Sequence, residues 1–295
     1  MNGFILFCGK NSNPELELML KAAEKLDIDL KVIDPRKITI MLDPDCKYML
    51  IDGKQSVIPE FVISAFASDP SYSNLACLQQ LETMGVLCVN RASVLQKTKD
   101  KLLTLQLLSE KGILVPKTIL YTKNTTLKVI EEELGFPLVL KVIGGSKGDG
   151  VVLVDTPEHL ENLLQIANAG EIQEELILQE MITSSKGRDL RVVIANGKAI
   201  SCAQRISAKG GFKSNYSAGG SISSYTLDKK IIEIAEKTAE ILGLFVGGID
   251  LLFSDNGFVV CEANSIPGFY IPEVENLWGI DVPYTVLESI KNELN

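Results

Sequence analysis

The first hundred residues alternate strands and helices, and this restricts the fold more than any other feature of the chain. "GFILFCG" reads as a strand, "ELELMLKAAEKLD" as a helix and "LKVIDP" as a strand. "FVISAF" follows as a strand, "NLACLQQLETMG" as a helix and "VLCVN" as a short strand. Strands separated by helices join a parallel sheet through crossovers. The segment "SVLQKTKDKLLTLQLLSEKG" then keeps helical spacing as far as Gly112, with a boundary near residue 100.

Beyond that boundary the pattern changes. "ILVPKTILY", "PLVLKVI", "GVVLVD" and "ELILQEMI" read as strands, with helices at "TLKVIEEELG" and "PEHLENLLQIANAG". Two hairpins come later, "VVIANGKAISCAQR" turned at Asn196-Gly197 and "IDLLFSDNGFVVCEAN" turned at Asn256-Gly257. The helix "LDKKIIEIAEKTAEILG" lies between them. The expected organisation is an α/β chain in three parts, 1–100, 101–183 and 184–295.

Several chemistries are disfavoured. No apolar stretch approaches the ~18 residues of a membrane span. The amino terminus reads as a first strand and not a signal peptide. The six cysteines form no CxxC pair, so they read as reduced, buried thiols of a cytoplasmic protein. A net charge of −9 argues against a nucleic-acid partner. The single histidine, His159, sits on a surface helix, which argues against Ser-His-Asp catalysis and a His-rich zinc site. Carboxylates, Lys, Arg and backbone are left to do the chemistry.

Folding the second hairpin about Asn256 sets Asp250 opposite Glu262 and puts Asn264 on the face of Glu262. Opposed Cβ atoms lie ~4.5–5.5 Å apart, so two carboxylates repel unless one points to solvent or a cation joins them. Two carboxylates and an amide oxygen suit Mg²⁺. In "KVIGGSKGDGVVLV" four glycines fall between Gly144 and Gly150 and join two strands. The loop is no P-loop, because no helix opens after it. It suits either an ordinary hairpin or a flap whose N–H groups fold over phosphates. Lys141, inward on an apolar strand, calls for an anionic partner, and Lys101 offers a second cation.

With these motifs the chain resembles the ATP-grasp ligases, and among them most closely the RimK-type amino-acid ligases. The resemblance is carried by "TKDKLLTLQLLSEKGILVP", "PLVLKVIGGSKGDGVVLV", "LILQEMI", "GRDLRVVI", "GGIDLLF" and "CEANSIPG". It implies an ATP-grasp fold with an N-terminal pre-ATP-grasp domain and two lobes clamping ATP. Lys101, Lys141 and the flap residues Gly145, Ser146, Gly148 and Gly150 would hold phosphates. Gln179, Glu180, Met181 and Ile182 would line adenine, and Asp189 would hold the ribose end. Lys213 and Asn215 would face the phosphates and the acceptor. Asp250, Glu262 and Asn264 would bind Mg²⁺ or Mn²⁺, as two ions. Arg205, with Lys141, would be catalytic, and Arg191 is a weaker candidate of the same kind.

The implied reaction is amide formation through an acyl-phosphate. It joins an amino acid donor to a carboxylate acceptor: a peptide, a protein tail or a small molecule. The implied enzyme is a homo-oligomer. A small-molecule ligase of amino-group-carrier or cofactor-glutamate type, or a non-catalytic nucleotide-binding regulator, is the alternative. Ala218 and Ala65 stand where many relatives carry arginine, so the expectation is that strict glutamate addition is not this enzyme's task, or that its acceptor differs from the ribosomal-protein tail.

Overall fold

The computed structural model describes residues 1–9, 13–43, 45, 48–66, 71–145, 148–169, 175–208, 211–212, 220–266 and 279–295. Ser146, Lys213, Asn215 and Ala218 lie outside them. The chain opens with β1 (Asn2–Leu6), α1 (Pro14–Lys25), β2 (Asp29–Ile33), β3 (Ile38–Thr39), β4 (Met49–Ile51), β5 (Lys54–Ser56), β6 (Phe61–Ser64), α2 (Tyr72–Thr83) and β7 (Leu87–Val89). The predicted parallel sheet forms in the order β2-β1-β6-β7. β6 and β7 read as apolar runs because both faces are covered, while the edge strand β2 keeps Asp29 and Lys31 exposed. Ile5, Phe61 and Ile63 meet Leu16 and Met19 of α1, while Phe4, Leu6 and Val62 meet Cys77, Leu78 and Leu81 of α2. The small antiparallel sheet β3-β4-β5 was not expected, since strands of two or three residues carry no readable period.

The helical stretch that follows breaks at Asp100 into α3 (Ala92–Lys99) and α4 (Lys101–Glu110). The Asp100 carboxylate caps α4, accepting from the Leu103 N–H at 2.9 Å. Next come β8 (Thr118–Leu120), α5 (Leu127–Glu133), β9 (Leu138–Val142), β10 (Val151–Val154), α6 (Pro157–Ala169) and β11 (Leu176–Glu180). They form an antiparallel sheet, β10-β9-β11-β8. Leu138, Leu140 and Leu178 pack with Ile130 of α5 and Leu160 of α6. The period of two therefore turns Val139 and Lys141 to the other face.

The last sheet comprises β12 (Arg188–Ala195), β13 (Lys198–Ile206), β14 (Ser221–Ser224), β15 (Val246–Ser254) and β16 (Gly257–Asn264), with α7 (Lys229–Leu242) inserted before β15. Its order is β14-β13-β12-β15-β16, antiparallel throughout. Asn196 and Gly197, at φ +49° and +67°, make the first turn where predicted. The second hairpin differs: Ser254 pairs with Gly257, so the turn is Asp255–Asn256, one residue early. A bulge between Asp250 and Leu251 on one side, taking up Cys261 on the other, restores the predicted Asp250–Glu262 pairing. Leu190, Val192, Ile249 and Leu251 pack with Ile231, Ala235 and Leu242 of α7. Asp189, Arg191 and Asp250 consequently take the opposite face.

A final helix, α8 (Val282–Leu294), had no counterpart in the sequence reading. Its Val282, Val286, Leu287 and Ile290 join the core around Ile5 and Phe61. The Lys291 Nζ also donates to the Leu26 carbonyl at 3.0 Å. Cys77, Cys88 and Cys261 are free thiols, and burial pushes the thiols of Cys77, Cys88 and Cys202 up to about 12. Among the described residues no helix is long and apolar enough to cross a membrane.

One buried side chain joins the parallel sheet to the sheet carrying the acidic residues. Asn90, just past β7, is 2 % exposed. Its Nδ2 donates to the carbonyls of Val246 at 2.6 Å and Ser265 at 2.8 Å. Its Oδ1 accepts from the N–H groups of Phe245 at 2.8 Å and Val246 at 3.1 Å. Those four bonds use the full capacity of a carboxamide, and they hold the start of β15 against the end of β16. Replacing Asn90 by Ala strands buried backbone groups, at an expected cost on the order of 3 kcal/mol. Urea denaturation checks this, and a change of only a few tenths of a kcal/mol would contradict the role of Asn90.

Candidate active site

A cleft runs between the free face of β9 and β11 and the free face of β12, β15 and β16. Along its first wall lie Val139, Lys141, Gln179, Glu180, Met181 and Ile182, with Gly145, Gly148 and Asp149 of the glycine loop and Val151 beyond it. Along its second lie Asp189, Arg205, Asp250, Leu252, Cys261 and Glu262, and Lys101 and Phe212 border it. The apolar surfaces of Val139, Val151, Leu252 and Phe212 and the charged groups of the second wall suit a ligand with a flat apolar part and an anionic part.

The charged groups are paired with one another. Arg205 faces Asp189 across β12 and β13, and Arg191 faces Asp250 across β12 and β15. The Arg205 Nε donates to Asp189 Oδ1 at 2.8 Å and its Nη2 to Asp189 Oδ2 at 2.5 Å. The same Nη2 lies 3.0 Å from Asp250 Oδ2. Arg191 grips Asp250 in a fork, Nε to Oδ1 at 2.5 Å and Nη2 to Oδ2 at 3.0 Å. Gly248 makes room for this: a Cβ there would meet Arg191 Cδ at 2.8 Å. Burial alone would raise the Asp250 carboxyl, but Arg191 and Arg205 together hold it below the usual carboxylate value. Burial works against the Arg205 charge, and Asp250 and Asp189 more than offset it.

Lys101 forms the other end of the site. Its Nζ donates to the Ile143 carbonyl at 3.2 Å and to the Gly145 carbonyl, which ties α4 to the first half of the glycine loop. Burial lowers its ammonium below the ordinary lysine value, against the pull of Glu262 at 3.9 Å. The Lys141 Nζ lies 3.5 Å from the Cys261 Sγ.

Twelve of the residues singled out from sequence line the cleft: Lys101, Lys141, Gly145, Gly148, Gln179, Glu180, Met181, Ile182, Asp189, Arg205, Asp250 and Glu262. Gly150 closes the loop before β10, and the Asn264 Nδ2 lies 3.5 Å from Asp250 Oδ2. Two arguments need correction. The Asp250 charge is balanced by two arginines, so repulsion from Glu262 does not by itself demand a cation. Lys141 is only half-buried and has a thiol for its neighbour, so its position does not by itself demand an anion. Val139 and Leu252 were missed although period two places them beside Lys141 and Asp250. Phe212 and Cys261 carried no such signal.

Asp250, Glu262 and Asn264 are oxygen donors on adjacent strands with Glu262 opposite Asp250, a set that fits a hard divalent cation. Among the described residues no three His, Cys, Asp or Glu side chains cluster as a metal site, so the set depends on the Asn264 amide.

Residues 3–95 match the RimK PreATP-grasp domain and residues 98–290 the RimK-like ATP-grasp domain. A probable alpha-L-glutamate ligase of Aliivibrio fischeri (strain MJ11) is 33% identical over 274 residues, covering 92% of this chain and 90% of the relative. The ATP-grasp ligase PsnB, solved with a phosphomimetic variant of its minimal precursor, Mg and ADP, superposes with a TM-score of 0.76. It has 16% identity, and the match covers 100% of this chain and 98% of that one. D-alanine–D-alanine ligase from Bacillus anthracis superposes with a TM-score of 0.70 at 18% identity, covering 99% and 96%. The two solved structures share the fold.

Two substitutions probe the site. The Asp250 carboxyl lies below its unfolded value of 3.8, so its stabilising contribution is present above that value and lost as pH falls toward the folded value. The stability gap between wild type and Asp250→Asn is therefore expected to shrink as pH is lowered through this window in acid unfolding. A gap independent of pH would contradict the pairing. Gly248→Ala is expected to push Arg191 off Asp250 and lower turnover more than stability. Wild-type turnover would show that Gly248 is not needed for that contact.

Proposed function

The chain belongs to the RimK-like ATP-grasp family, the ATP- and Mg²⁺-dependent carboxylate–amine ligases, and from that membership we propose that it adds an amino acid to the carboxylate of a peptide, protein tail or small molecule. The observation that carries this reading is the cleft itself. Lysines 101 and 141 and the glycine loop stand on one side of it, and Arg205, Asp250 and Glu262 on the other. Under this reading Gln179, Glu180, Met181 and Ile182 line the adenine. Lys101, Lys141 and the loop residues Gly145, Ser146, Gly148 and Gly150 bind phosphates. Lys213 and Asn215 face the acceptor.

Asp250, Glu262 and Asn264 would hold Mg²⁺ or Mn²⁺, as two ions, and bound metal neutralises phosphate charge. The acceptor carboxylate attacks the γ-phosphorus and ADP leaves; the donor amine then attacks the acyl carbon of the acyl-phosphate, the C–O bond to phosphate breaks, and an amide and inorganic phosphate result as the amine loses a proton. Arg205 offers charge-assisted hydrogen bonds to the transferring group, and positioning with charge stabilisation carries most of the rate. The loop over the phosphates excludes water that would hydrolyse the acyl-phosphate.

The donor is an α-amino acid not restricted to glutamate, although the relative from Aliivibrio fischeri is named for that amino acid. Ala65 supports this, because it is partly buried against the N-terminal core and brings no charge to grip a second carboxylate. ADP release across twenty amino acids, with mass spectrometry of the products, tests both points. The expected product gains one amino acid residue per ADP, from more than one donor. AMP in place of ADP would contradict the acyl-phosphate route, and poly-glutamate ladders from glutamate alone would contradict the donor range. Lys141→Ala is expected to weaken nucleotide binding or transition-state stabilisation by ~2–5 kcal/mol, read by calorimetry and turnover. Wild-type values of both would remove Lys141 from the phosphate site.

A further inference from the structure

Residues 181–187 join β11 to β12 and so connect the two walls of the cleft. The β12–β15 ladder ends with Leu190 opposite Leu251, which leaves Arg188 and Phe253 beyond the last rung. A serine hydroxyl fills that gap. The Ser185 Oγ accepts from the Phe253 N–H at 3.0 Å and donates to the Arg188 carbonyl at 2.6 Å. The Ser184 Oγ donates to the Phe253 carbonyl at 2.9 Å. The Arg188 guanidinium donates to the Ser184 carbonyl and lies 4.4 Å from the centre of the Phe253 ring. Ser185 is 5 % exposed and borders the cleft, as do Met181 and Ile182 on its own segment and Leu252 next to Phe253. The far end of the connection is tied as well. The Gly187 N–H donates to the Phe212 carbonyl at 3.2 Å, and the Gly187 carbonyl accepts from the Ser207 N–H at 2.8 Å.

We propose that Ser185 is a positioning residue for the nucleotide base: its hydroxyl pins the connection to β15 and so sets the gap between Met181 and Ile182 on one side of the base and Leu252 on the other. Ser185 follows Ile182 by three residues and Phe253 follows Leu252 by one, so little chain lies between the pin and either side of the gap. A hydroxyl that accepts from one backbone group and donates to another is fixed in direction by both, which apolar contact alone does not impose. Without it the Phe253 N–H and the Arg188 carbonyl are satisfied only if β12 and β15 draw together or water enters between them, and either change moves the connection. The inference rests on the placing of residues 179–182 at adenine under the proposed function, and the experiment separates the two.

Ser185→Ala, Ser184→Ala and Leu252→Ala are compared with wild type. Calorimetry with Mg-ADP reads the whole nucleotide. Inhibition of turnover by inorganic tripolyphosphate reads the phosphate part without a base. Turnover is ADP release from Mg-ATP with the amino acid that most stimulates the wild type. Ser185→Ala is expected to weaken Mg-ADP binding and raise the KM for ATP on the order of 10-fold, the scale of one buried hydrogen bond. Its kcat at saturating ATP and its inhibition by tripolyphosphate are expected to stay close to wild type, the pattern of lost uniform binding. A merely structural role would instead lower kcat or weaken both ligands alike, and either result would overturn the proposal. Leu252→Ala is expected to weaken Mg-ADP and spare tripolyphosphate. Wild-type Mg-ADP affinity in Leu252→Ala would remove the base from this part of the cleft, and the inference with it. Weakened binding in Leu252→Ala without any in Ser185→Ala would overturn only the positioning role. Should Ser185→Ala not fold, Ser184→Ala removes the other hydroxyl on Phe253 from a less buried position. It is expected to weaken Mg-ADP in the same direction by a smaller factor, and unchanged affinity there would equally overturn the proposal.

Discussion

Four charged side chains, Asp189, Arg191, Arg205 and Asp250, are interlocked across three adjacent strands, and the rest of the site depends on that interlock. Unpaired, any of them would be costly to bury; paired and forked, they hold one another in place. The network forms only if β12 keeps register with β13 on one side and β15 on the other. Register in turn is set by Leu190, Val192, Ile249 and Leu251, which must reach α7. Apolar packing on one face of the sheet thereby fixes charge geometry on the other. Buried ion pairs are weak evidence for stability, so three of them at the wall of a cleft point to function.

The same sheet is bound to the N-terminal sheet through Asn90 and through α8, which carries the end of the chain back to the core around Ile5. The wall with the acidic residues is therefore part of a fixed body. The opposite wall hangs on β9 and β11 and touches that body through the hold of Lys101 on the glycine loop and through Lys141 beside Cys261. A ligase that must exclude water needs this division, one rigid wall to aim the reacting groups and one loop to cover them.

Much of this was legible in the sequence where a period or a turn carried the information. The parallel sheet followed from alternating elements, and the face of Lys141 from strand periodicity. The Asp250–Glu262 pairing emerged although its premise was off by one: the turn comes a residue early and the bulge at Cys261 compensates. Bulges leave no trace in a hydrophobic pattern, so that agreement rested on two features cancelling. Asn90 could not be found, because a single amide after a strand has no pattern and its four partners lie more than 150 residues away. The Arg191–Asp250 pairing was equally hidden, since strand order and not sequence spacing brings β15 beside β12, while the Arg205–Asp189 pairing depends on a bulge between Val193 and Ile194 that shifts the predicted hairpin by one residue.

The central claim is that this cleft moves a phosphoryl group onto a carboxylate. The most direct test is isotope transfer: the amino acid that most stimulates ADP release, labelled with ¹⁸O in its carboxylate and so carrying both reacting groups, is turned over with unlabelled Mg-ATP. The account predicts one labelled oxygen in the inorganic phosphate for each amide bond formed, because the carboxylate oxygen that attacks phosphorus leaves with it. Amide formation with unlabelled phosphate would contradict it.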